Sequence, residues 1–123
     1  MGTLSQNVLQ TCKKKLLEAK QDIMNRVREN RANFRVHQDT SGDEADQSVR
    51  ITEEADAVAT QERLRQTLME IEFALGRIEN NTYGICEETE EPIEAERLLA
   101  IPWTRLSIEG AEVREQMDRR FAR

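Results

Sequence analysis

From Leu4 to Arg35 the chain has neither proline nor glycine, and Leu9, Cys12, Leu16, Ala19 and Ile23 fall at alternating steps of three and four. With 3.6 residues to a turn, that spacing lays one apolar seam along an α-helix. Val27 and Phe34 continue the face with a slip in register. A second run, Leu64, Leu68, Ile71, Leu75 and Ile78, repeats the pattern, and Ile51, Ala55 and Val58 extend it weakly toward its start. Between the runs lies VHQDTSGDEADQS, residues 36–48, where Gly42 sits among Asp, Ser and Thr. Such a composition suits a loop and the N-cap of the next helix. Two helices of about 32–34 residues, rising about 1.5 Å each, reach roughly 50 Å. The short connection makes them antiparallel. The expectation is a mainly α chain built on a long antiparallel two-helix coiled-coil hairpin, with its tip at about 36–48. A parallel oligomeric coiled coil competes, and the loop favours folding back.

The second run stops at Asn80, Asn81 and Gly84, which are helix C-terminal signals. Ile85, Ile93, Leu98, Leu99, Ile101, Trp103, Leu106 and Ile108 then crowd into 24 residues, with Pro92 and Pro102 stiffening the turns. IEGAEVREQMDRRFAR reads as a short final helix, its Arg119, Arg120 and Arg123 near the negative end of the helix dipole. The predicted organisation is therefore a hairpin over 1–81 and a small head over 82–123.

Composition supports an extended chain more than a thick core. Of 123 residues, 34% are charged and only 4% aromatic, a balance typical of long exposed helices. The net charge of −6 disfavours DNA binding by the surface as a whole. Charge is also unevenly spread: residues 4–35 carry net +5, while 36–46 hold four acids and no base. Neighbouring segments of opposite sign attract each other. No apolar run is long enough to span a membrane and no secretory signal is visible. Two cysteines far apart, Cys12 and Cys86, make no disulfide framework, which fits a reducing cytoplasm.

The head carries a metal-site frame without the metal chemistry. CEET (86–89) and SIEG (107–110) are separated by 17 residues, the layout of a paired Cys-x2-Cys zinc ribbon. Only Cys86 is a cysteine; Thr89, Ser107 and Gly110 hold the other three places. Structural zinc takes four ligands, usually thiolate or imidazole. His37, the only histidine, lies in the tip region, and Cys12 sits on the apolar seam as a small hydrophobe. The expectation is that zinc is absent and that Cys86 is an unreactive structural position, since Glu87 and Glu88 beside it would not lower its pKa.

Taken together, GDEADQS at the tip, RIENNTYGICEE entering the head and EPIEAERLLAIPWTRLSIEGAE within it resemble the DksA/TraR family of bacterial transcription regulators, from about residue 4 to residue 120. The resemblance implies a coiled-coil hairpin with a zinc-ribbon-like head, which binds RNA polymerase and inserts its tip into the secondary channel. The family's tip motif, Asp-x-x-Asp-x-Ala, falls on Asp43 and Asp46, with Ser48 in place of alanine. Both acids also suit a helix start, where each would contribute about 0.3–1 kcal/mol against the dipole. In relatives that respond to guanosine tetraphosphate, basic residues fall where this chain has Glu70, Ile101 and Ala111. The nucleotide is therefore not expected to be required.

The function expected is thus a non-catalytic, monomeric, cytoplasmic regulator of RNA polymerase, without sequence-specific DNA binding and without membrane attachment. Two other readings stand beside it: a coiled-coil adapter unrelated to polymerase, and a transcript-cleavage factor like the similarly shaped Gre proteins. An enzyme of another kind is disfavoured, because no Ser-His-Asp set, Cys-His pair or phosphate-cradling glycine loop is visible.

Overall fold

The computed structural model describes residues 4–39 and 44–121, with side chains over 4–33 and 47–121. Four helices follow in order: α1 (Gln6–Asp39), α2 (Glu44–Glu79), α3 (Ala95–Ala100) and α4 (Ile108–Phe121). Packing divides the chain into two units. A head unit joins Met1–Glu18 to Glu70–Arg123, and a hairpin unit holds Ala19–Met69.

The two long helices have 34 and 36 residues, slightly more than the periodicity indicated. Within the stretch expected as a loop, 36–48, residues 36–39 and 44–48 are helical. Gly42 is the one helix breaker in that stretch, and good helix formers such as Glu, Ala and Gln follow it.

In the hairpin unit, the half-buried positions of α2 include Arg50, Glu54, Ala57, Gln61, Leu64 and Leu68, at steps of four and three. Ile51 and Val58, expected on the seam, are 67% and 64% exposed, and Ala55 is exposed as well. The seam has kept its register and changed its polarity. Opposite it, the Asn30 amide donates to the Ala57 carbonyl and to Gln61 Oε1, each at 3.0 Å. The reason is geometric. Helical period fixes which positions face inward, so apolar residues one place further along cannot reach the interface.

The head unit is where the apolar core lies. Cys12 and Leu16 from α1 and Ile71 and Ala74 from α2 are buried, together with Tyr83, Cys86, Ile93 and Leu98. Polar contacts tie the same pieces together. Cys12 Sγ lies 3.6 Å from the Leu98 carbonyl, Lys15 Nζ donates to the Leu99 carbonyl at 2.8 Å, and the Tyr83 hydroxyl donates to the Pro102 carbonyl at 2.7 Å. Of the eight apolar residues expected to close the head, Ile85, Ile101 and Ile108 are exposed. Tyr83, absent from that set, takes a core place instead.

α2 ends as its sequence indicates. Asn81 has φ 61, the left-handed conformation that Asn tolerates. The Thr82 amide then bonds the Arg77 carbonyl at 2.9 Å and the Asn81 amide bonds the Ile78 carbonyl at 3.2 Å. This pair is a Schellman closure, satisfying carbonyls that the helix end would leave bare. Gly84 follows with φ 88 and accepts from the Ile93 amide at 2.8 Å, beside an antiparallel bridge between Ile85 and Pro92. α3 was not legible in the sequence, because six residues are too few to show a helical period.

Candidate functional site

The four frame positions converge within the head unit. Cys86 is buried at 1% exposure, Ser107 and Gly110 are buried, and Thr89 is half-buried. Ser107 is the N-cap of α4: its hydroxyl accepts from the Gly110 amide at 3.0 Å, three residues on. The Glu94 carboxylate accepts from the Ile108 amide at 3.2 Å. On the other side, the Thr89 amide points at Cys86 Sγ at 3.5 Å. The turn is held by the Cys86 amide to the Glu91 carbonyl at 2.8 Å and by the Glu87 amide to the Arg105 carbonyl at 3.0 Å.

This setting changes the thiol. Burial alone would raise its pKa, but hydrogen bonds from Ser107 and Thr89 outweigh it and bring Cys86 down to about 6. The expectation that nothing nearby would lower it is corrected. Glu87 and Glu88 are not the groups that matter, because they turn to arginines. Arg114 Nε meets Glu88 Oε2 at 3.0 Å and Arg114 Nη2 meets Glu87 Oε2 at 3.5 Å. Arg105 joins Glu87 at 3.5 Å to Glu70 at 3.1 Å. The hydrogen bond to Glu88 holds the Arg114 guanidinium above its usual range. Arg77 moves the other way: burial lowers it despite the pull of Glu87 and Glu70, and its Nη2 is buried without a hydrogen-bond partner. Burial likewise pushes the Tyr83 phenol well up. The partners in these pairs lie up to 35 residues apart in sequence, so no local spacing announces them.

At the α1–α2 connection the structure gives less. Asp43 lies outside the described residues. Asp46 is in the first turn of α2, and Ser48 is exposed two residues further in, its carbonyl accepting from the Thr52 hydroxyl at 3.2 Å.

Two long helices with a head built on a paired-turn frame define a coiled-coil hairpin protein with a zinc-finger-type head. A model of the prokaryotic dksA/traR C4-type zinc finger matches residues 81–116. The RNA polymerase-binding transcription factor DksA of Caulobacter vibrioides is 36% identical over 111 residues, covering 90% of this chain and 78% of that protein. The solved structure of transcription factor DksA2 from Pseudomonas aeruginosa matches with a TM-score of 0.83 at 31% identity, over 94% of this chain and 88% of that one. The chain belongs to the DksA/TraR family.

The family match corrects one expectation. It is a match to a C4-type zinc finger and points to zinc binding, against the reading of a zinc-free head. The matched span contains all four frame positions. The donors now at those positions do not fit a four-thiolate site. Cys86 is the one thiol, and a Cβ built on Gly110 would collide with its sulfur. Among the described residues no group of three or more His, Cys, Asp and Glu is gathered to hold a metal. No described helix is long and apolar enough to cross a membrane.

Proposed function

We propose that this chain is a bacterial regulator that binds RNA polymerase, enters its secondary channel with the α1–α2 connection first, and alters promoter complexes without catalysing a reaction. The observation that carries the reading is the 36% identity to an RNA polymerase-binding transcription factor across 90% of the chain. The helices support it, since 34 and 36 residues at about 1.5 Å each give a finger of roughly 50 Å. In this reading residues 1–81 form the finger and 82–123 the head, and the work is done in the cytoplasm. Asp43, Asp46 and Ser48 act at the tip, where carboxylates meet the Mg²⁺ and basic side chains of the polymerase centre.

Capture of RNA polymerase by the full chain, followed by in vitro transcription, tests this. Asp43→Asn with Asp46→Asn should keep capture largely intact and reduce the effect on transcription. A chain that captures no polymerase would retire the reading. A double variant as active as wild type would leave the acids as helix-start residues only.

A further inference from the structure

Between residues 50 and 61, α2 is apolar on the wrong side for its own stability. The positions turned toward α1 are Arg50, Glu54, Ala57 and Gln61, while Ile51 and Val58 stand 67% and 64% exposed with Ala55 between them. At 100° per residue these three outward residues share one face of the helix, and Met69, 52% exposed, returns to the same angle five turns after Ile51. Isolated exposed apolar side chains are ordinary. A periodic stripe of them, flanking a polar seam about 100° around the helix, is a surface awaiting cover. Beside it opens a cleft of about 190 Å³ lined by Val58, Ala57, Asn30, Arg31 and Gln61, with room for one inserted side chain.

We infer that the Ile51–Ala55–Val58 stripe is the face of the finger that RNA polymerase grips, with an apolar side chain of the polymerase seated in the cleft beside Val58. The inference rests on the polymerase reading above and adds which face of α2 makes contact. Area decides between occupants. A stable pair of copies needs roughly 800 Å² from each partner, and three side chains on one helix supply only a small part of that. A channel that encloses the finger covers its other faces too, so a short stripe suffices there to set the rotation of α2 about its axis.

The test uses the full chain and purified RNA polymerase. Ile51→Gln with Val58→Gln removes the stripe and keeps good helix formers at exposed positions. Affinity for polymerase should fall about tenfold or more, with helical content and denaturation midpoint unchanged. Val49→Gln, a change on an exposed residue of the opposite face, should leave affinity as it was. Wild-type affinity in the double variant overturns the inference, and so does an equal loss in Val49→Gln. If sedimentation shows that wild type self-associates and the double variant does not, the occupant is a second copy and the assignment to polymerase fails. A wild type that binds no polymerase would instead retire the functional reading itself.

Discussion

The head unit and the hairpin unit use the same helices in opposite ways. In the head unit, α1 and α2 supply Cys12, Leu16, Ile71 and Ala74 to a core that Tyr83, Ile93 and Leu98 complete. In the hairpin unit, Ile23 is the one buried residue among those whose side chains are described, and Asn30 and Gln61 meet across the seam. A single heptad register thus serves two purposes. Where it is filled with apolar residues it generates stability. Where it is filled with polar ones it specifies pairing at little gain, since a hydrogen bond exchanged for water nets only about 0.5–1.5 kcal/mol. The unit with the fewer buried apolar residues is the one assigned to contact a partner, in line with the general link between low local packing and function.

The largest effect expected is on the head core. Leu98→Ala or Ile71→Ala should cost about 2–5 kcal/mol by chemical denaturation. Leu64→Ala, at a half-buried seam position, should cost clearly less. Equal losses at both places would break the contrast.

Gly110→Ala should come next. Its new Cβ meets the Cys86 sulfur, an overpacking worth about 1–3 kcal/mol. Adding Cys86→Ala removes the obstacle, so the double variant should be more stable than the sum of the two changes predicts. Strict additivity would show that the two groups are not in conflict.

Asn30→Leu with Gln61→Leu should act in the other direction. Replacing both partners of a polar pair by apolar side chains is neutral or stabilising, and here it should slow amide exchange in the hairpin unit by about 1 kcal/mol of protection. Destabilisation would mean that the polar seam carries more of the pairing than its hydrogen bonds indicate.

A separate test of the head is its response to pH. Cys86 titrates lower in the folded chain, near about 6, than its ordinary value of 9.0. The folded state therefore binds fewer protons across that window, and stability rises with pH through it. The contribution is full above the ordinary value and is lost as pH falls through about 6. Melting curves across the window should show this slope, and Cys86→Ser should flatten it.

How much of this was legible varies by region, for physical reasons. The two long helices and the end of α2 were readable because period and capping are local. The convergence of Cys86, Thr89, Ser107 and Gly110 was readable from their spacing. Ile51, Ala55 and Val58 read as inward because they are apolar, although the 4-3 count back from Leu64 leads to Gln61, Ala57 and Glu54. Following the register instead of hydrophobicity would have placed them correctly. The lowered Cys86 thiol and the Arg105 and Arg114 pairs depend on contacts between distant residues, and nothing in a local window encodes them. The donor residues taken one by one speak against zinc, whereas the family match over residues 81–116 points to zinc binding.

The Tyr83 hydroxyl bonded to the Pro102 carbonyl has a practical consequence. Tyr83 is the only tyrosine and Trp103, next to Pro102, the only tryptophan. Both chromophores belong to the head unit, and the hairpin unit has neither. Intrinsic fluorescence is therefore blind to the hairpin unit, while far-ultraviolet circular dichroism, dominated by α1 and α2, sees both. Recorded on one sample during unfolding, the two signals measure whether the units melt together or apart. The chain is its own two-channel reporter and needs no added label.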